Sequence, residues 1–213
     1  MADFNTYWPK LQQWEGGYQN NSADPGNYNS EGDLVGTNFG ISAKAFEIFL
    51  GSPPSVADMQ SMTIATAKSI YVDQYWNTIR GSDIESQALA EILVDAYINT
   101  GSNGTRLMQQ VLNAAGSDLT VDGVIGPLSI AEINDSNVVV VHDTFKLARK
   151  TYYSDLVNAN ESMAVFLQGW INRVNSFPCL SINCESAIDL GVDDVYLASK
   201  KKQLAGRGKL RSA

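Results

Sequence analysis

The sequence predicts a mainly α (α+β) protein, a helical bundle interrupted by one long loop or small β-hairpin. Apolar residues recur at helical spacing in most segments, and Gly or Pro closes those segments at about one helix length. One polar stretch, Tyr18 to Asn38, is rich in Asn, Gly, Ser and Asp and has no such period.

The first segment is expected to be helical through Trp14, with Pro9 tolerable only in a first turn and Gly16-Gly17 as the stop. After the polar stretch, a helix should begin near Ser42 and end at Gly51, ahead of Pro53-Pro54. Thr63 opens another, in which Ala67, Ile70, Tyr71 and Tyr75 share a face. The apolar SQALAEILVDAYINTG ends at Gly101 and should be central; RLMQQVLNAAG is a shorter helix, followed by the turn-rich TVDGVIGPLS. SIAEIN, VVHDTFKLARKTYYSDLV and ESMAVFLQGWINRVNSF complete roughly seven or eight helices, with no internal repeat.

The charge is uneven. The net value is -8, yet the last fourteen residues hold six basic groups and no acid, leaving the remainder near -14. Such an acidic body disfavours nucleic acid as a partner, because phosphate binding needs a positive surface. The tail from Lys200 reads as a solvated end. No apolar run approaches the ~20 residues that span a bilayer. The opening residues lack the basic and apolar regions of a Sec signal, so delivery by another route is expected. Cys179 and Cys184 are compatible with one local disulfide or with two free thiols, and with a single His they make no zinc pattern.

Phe4, Trp8, Leu11 and Glu15 are spaced by four, three and four, which projects them from nearly one helix face. Glu15 is the only acid on that stripe. Partial burial and the negative end of the helix dipole would both favour its protonated form. A carboxylic acid kept neutral near pH 7 is what glycoside cleavage requires of its proton donor. A helix-end glutamate pointing into water has the same spacing. Asp24 follows by nine positions, where a loop carboxylate can act as base or hold a water, and the Thr37 hydroxyl can orient that water. Asp-Pro-Gly is also ordinary turn chemistry.

The run EGGYQNNSADPGNYNSEGDLVGTNFGIS resembles the signature of the glycoside hydrolase family 108 N-acetylmuramidases: EGGY, a spacer, DPGG, then T-x-x-GI. It is similar also to the Glu, eight residues, Asp, short gap, Thr arrangement of phage-type lysozymes. The resemblance continues through MTIATAKSIYVDQYW, ILVDAYINTG, VDGVIGP and FLQGWINRVNSF, about residues 8–177. It implies a lysozyme-like fold with Glu15 as catalytic acid and Asp24 and Thr37 as the water-holding pair. Tyr18 and Asn38, beside these positions, are expected to contact substrate. Asp95 and Asn99, one turn apart, either contact substrate or serve the interior. Tyr75, Trp76 and Trp170 could stack on sugar rings, although aromatics on helices are more often core.

Two departures stand out. Asn27 replaces the second glycine of DPGG, and about eight extra residues, Tyr28 to Val35, precede Thr37, leaving Ser30 as a competing hydroxyl. Asn27, Asn29, Glu31 and Asp33 alternate like the start of a calcium loop, but the twelfth position is Asn38 rather than Glu, so a polar surface loop is the favoured reading.

The organisation implied is a lysozyme-like catalytic region at 1–104, a helical predicted peptidoglycan-binding region packed on it at 105–178, and an extension at 179–213 with the basic tail. The expected activity is a muramidase cleaving the β-1,4 bond between N-acetylmuramic acid and N-acetylglucosamine, inverting, with no cofactor and no metal. Its partners would be peptidoglycan strands and a phage tail or contractile injection apparatus, with no nucleic acid and no membrane insertion. It would act in the periplasm or cell wall after release or injection. The competing readings are a lytic transglycosylase and a non-catalytic wall-binding module of such an assembly.

Overall fold

The computed structural model describes residues 1–182. Cys184, and with it the question of a Cys179–Cys184 pair, lies outside them, as does the basic tail. The architecture is mainly α, with nine α-helices among the described residues and only isolated β-bridges. No described helix is long and apolar enough to cross a membrane. The chain divides into two compact units, Asp3–Ser82 and the residues from Asp83 onward together with Met1–Ala2.

The unit Asp3–Ser82 holds α1 (Phe4–Gln12), α2 (Ala43–Leu50), α3 (Val56–Ser61) and α4 (Ile64–Tyr71), the last running into a π-helical turn at Val72–Trp76. Caps set most of these boundaries. The side chains of Asp3, Ser42 and Thr63 accept hydrogen bonds from first-turn amides, and Gly51 closes α2 at φ 75°. The α3 helix was not anticipated; Ser55 and Asp58 form a reciprocal capping box that is legible in S-x-x-D. The α1 helix corrects the expectation for the first segment. It starts at Phe4, which puts Pro9 inside the helix, where it withholds one backbone donor, and it ends at Gln12 rather than Trp14. Phe4, Tyr7 and Leu11 are buried, and Phe4 packs edge-on against Trp76 with 5.5 Å between ring centroids. Trp76, one of the aromatics considered for sugar stacking, is a core residue here, and its indole N–H donates to Ser82.

The second unit contains α5 (Gln87–Thr100), α6 (Ser102–Ala114), α7 (Pro127–Asp135), α8 (Val138–Ala159) and α9 (Ala164–Asn175). Leu89, Ile92, Leu93, Met108, Leu112, Phe145 and Val174 are fully buried. Trp170 stacks on Tyr153 at 5.0 Å and on Phe166 at 5.8 Å.

Within this core lies an ion triad. Asp95 on α5 accepts from Arg149 Nη2 on α8 at 2.6 Å and from Arg173 Nε on α9 at 2.8 Å, while Asn99 donates to the Asp95 carbonyl at 2.6 Å. Burial pushes the Asp95 carboxyl up, but the two guanidinium groups outweigh burial and hold it below the usual carboxylate range. Removing one partner from such a group leaves a buried charge without compensation.

Asp95→Ala is therefore expected to destabilise this unit by about 3–5 kcal/mol at neutral pH in urea unfolding. A carboxylate with a depressed native pKa contributes fully above its unfolded value, near 3.9, and loses that contribution as pH falls through the native one. The gap between wild type and variant should accordingly narrow below about pH 4.

Candidate active site

The candidate residues Glu15, Tyr18, Asp24, Thr37 and Asn38 all lie in the unit Asp3–Ser82, whereas Asp95 and Asn99 belong to the other unit. Glu15 sits three residues beyond α1, after a turn in which the Trp14 amide donates to the Leu11 carbonyl. It is half-buried and lines a cleft of about 160 Å³ with Trp8, Gln12, Gly16, Gly17, Phe39 and Ile64. The apolar stripe read from the sequence thus divides: Phe4 and Leu11 enter the core, while Trp8 and Glu15 face the cleft.

The Glu15 carboxylate lies directly on the backbone of Gly40. A Cβ at position 40 would overlap Glu15 Oε2 and stand 2.6 Å from the carboxyl carbon and 2.5 Å from the Tyr71 hydroxyl. Gly40 also has φ 72°, in the region that favours glycine. This close approach gives the glycine of T-x-x-GI a physical reason. The same short segment begins with Thr37, and Asn38 and Ile41 close it by exchanging backbone hydrogen bonds.

At its other end the segment pairs with the strand-like residue Gln19: the amides of Gln19 and Thr37 each donate to the other's carbonyl, at 2.9 and 2.8 Å. The Thr37 hydroxyl donates to Asn27 Oδ1 at 2.6 Å. Asn27 and Gln19 join their amides reciprocally, at 2.9 and 3.0 Å, and Gln19 Nε2 also reaches Asp24 Oδ2 at 3.3 Å. Asp24 caps a 3-10 turn at Pro25–Asn27 by accepting from the Gly26 amide. Asp24 and Thr37 are therefore joined through Gln19 and Asn27. Sequence reasoning did not assign a site role to either amide; the replacement of a family glycine by Asn27 was the available signal.

The inserted residues fold on themselves. The Val35 and Gly36 amides both donate to the Asn27 carbonyl at 2.9 Å, so the excursion leaves and returns at one point. Inside it, Tyr28 bridges Leu34, and Asn29 Oδ1 accepts from the Glu31 and Asp33 amides. The side-chain oxygens considered for a cation loop thus accept from protein donors, Gln19 and Thr37 at Asn27 and the Glu31 and Asp33 amides at Asn29. Ser30, the competing hydroxyl, donates to Glu47 on α2, and its hydroxyl and amide hold that carboxyl below the usual range.

The other expected contacts are found as follows. Tyr18 donates its hydroxyl to the Val35 carbonyl at 3.1 Å, with its ring against Gly36. Asn38 is buried and donates to the Met59 carbonyl at 2.8 Å. Asp95 has both carboxylate oxygens on arginines, as described above. Among the described residues no group of three or more His, Cys, Asp or Glu side chains is placed to hold a metal ion.

Residues 8–101 match the family model for glycosyl hydrolase 108, and residues 103–175 match the model for a predicted peptidoglycan domain. Among solved structures the chain is similar to Brucella abortus SagA, with 25% sequence identity and a TM-score of 0.62 over 82% of this chain and 94% of that one. No curated protein matches the chain in sequence.

Two outcomes follow from the geometry. Gly40→Ala should abolish peptidoglycan clearing, because the methyl group takes the place of the Glu15 carboxylate; circular dichroism should still report a helical protein. Asn27→Ala removes four side-chain hydrogen bonds from a fully buried position. It should lower the melting temperature and reduce turnover together, at a cost of about 1–3 kcal/mol in chemical unfolding.

Proposed function

We propose that this chain, whose residues 8–101 match the glycosyl hydrolase 108 model and residues 103–175 that of a predicted peptidoglycan domain, is a glycoside hydrolase of peptidoglycan that cleaves the β-1,4 bond between N-acetylmuramic acid and N-acetylglucosamine. Glu15 protonates the glycosidic oxygen as the bond breaks. Asp24 and Thr37 hold a water on the opposite face of the sugar, and Asp24 takes its proton as the water attacks the anomeric carbon. The configuration at that carbon is inverted.

The observation that carries this reading is the hydrogen-bonded path from Asp24 through Gln19 and Asn27 to Thr37, on a segment whose far end supports Glu15. One backbone turn relates the acid to the water-holding pair, and relative placement of this kind is what effective catalysis draws on. The same path favours Thr37 over Ser30 as the site hydroxyl, since Ser30 is engaged by Glu47. A lytic transglycosylase needs no attacking water and gives no role to Asp24 and Thr37.

Digestion of purified peptidoglycan by wild type, Glu15→Gln and Asp24→Asn tests the reading. Wild type should release N-acetylmuramic acid reducing ends, initially in the inverted anomeric form. Each variant should lose on the order of 10²–10⁴-fold in rate. N-acetylglucosamine ends, anhydro sugars or an active Glu15→Gln protein would sink it.

A further inference from the structure

The second unit holds a pocket of about 410 Å³ for which the scheme above has no use. It lies inside residues 103–175, the stretch that matches the predicted peptidoglycan domain. Its volume falls in the range of small-ligand sites, about 300–1,000 Å³. Three helices meet there. The end of α6 gives Leu112 and, just beyond the helix, Ser117; α7 gives Glu132 and Asp135; the first turn of α8 gives Val140 and Val141.

The lining has an apolar part and an acidic part. Leu112 and Val141 are buried, and Val140 beside them is exposed. Glu132 is half-buried, and its Oε2 accepts from the Ser117 hydroxyl at 2.6 Å, which ties α7 to the end of α6. Asp135 is exposed, and among the described residues no donor is bonded to its carboxylate. No Lys, Arg or His is among the described residues that line the pocket. Both α6 and α7 end beside it. The last carbonyls of a helix lack partners within the helix and carry the negative end of its dipole. The start of α8 brings the opposite polarity, but there the Val140 amide is already bonded to Asn137 Oδ1 at 3.1 Å.

We propose that this pocket receives the ammonium-bearing side chain of a diamino acid in the peptide stems of peptidoglycan. Such a side chain joins a head with three donors to an unbranched aliphatic stem. The stem can lie along Leu112, Val140 and Val141, while Glu132, Asp135 and the helix-end carbonyls share the head. A metal ion fits less well. Calcium takes six to eight oxygen ligands, and among the described residues no group of three His, Cys, Asp or Glu side chains is placed to hold an ion. The glycan strand, with its N-acetyl groups, has no positive charge to answer the two acids. The inference rests on peptidoglycan being the substrate, and it gives this unit a hold on the peptide where the catalytic cleft acts on the sugar.

The test uses the full chain and two synthetic stem peptides, one carrying lysine and one diaminopimelate. Each is also prepared with its side-chain amine acetylated, and binding is followed by NMR titration. At least one free-amine peptide should bind, and its acetylated form should bind roughly tenfold more weakly, as expected for the loss of a charge-assisted hydrogen bond. Asp135→Asn and Glu132→Gln should each weaken that binding by a similar factor. The melting temperature checks folding, and the exposed Asp135 makes its variant the safer of the two. Equal binding of free and acetylated peptides, unchanged binding by Asp135→Asn, or no binding of either peptide would overturn the proposal. Digestion of peptidoglycan by wild type is scored separately. Peptide binding without digestion removes the hydrolase reading and keeps the pocket; digestion without peptide binding does the reverse.

Discussion

The Glu15 carboxylate rests on a backbone that can come so close only because residue 40 has no side chain. Much of the unit Asp3–Ser82 is organised around that contact. The turn from Thr37 to Ile41 must present Gly40 with φ 72° and tolerate Phe39 at φ 47°, and neither conformation is cheap away from glycine. The turn is therefore fixed from several sides. Asn38 is anchored to Met59, the Phe39 carbonyl to Tyr71, and Thr37 to Gln19 by paired backbone bonds. Aromatic contacts tie α1 to Tyr71 of α4 and to Trp76 in the turn beyond it.

The same economy appears in the second unit. Two separate blocks of the sequence, ILVDAYINTG and FLQGWINRVNSF, meet in the Asp95–Arg173 bond, with Arg149 as the third member. Two cations around one anion inside a protein form a costly arrangement unless each charge is held by its neighbours. Here the ions tie α5, α8 and α9 at a single buried point. Asp95, ambiguous in the sequence between substrate contact and interior, has its carboxylate oxygens occupied in this triad.

Legibility followed locality. The helices from Ser42 and Ser86 onward were readable because each has a capping side chain, an apolar face and a closing glycine, and the one from Thr63 because it has the cap and the face. Glu15 was readable as the acid on an apolar stripe, although periodicity carried α1 two residues too far; spacing does not reveal that the chain already turns at Gln13. The positions of Asp24 and Thr37 were suggested by motif spacing. The amides of Gln19 and Asn27 that join them could not be read, because hydrogen bonds across an irregular loop leave no period in the sequence. The α3 helix is different: its capping box was present in the letters, but six residues are too few to display an apolar face.

The loop between Tyr28 and Val35 departs from the Asn27 carbonyl and comes back to it. Such an excursion behaves like a bead hung from a knot. Residues can be added to it or taken away without changing the distance along the chain that matters, from the knot to Thr37. A lineage carrying this knot is thus free to vary the loop while the hydrogen bonds that join Gln19, Asn27 and Thr37 keep one geometry.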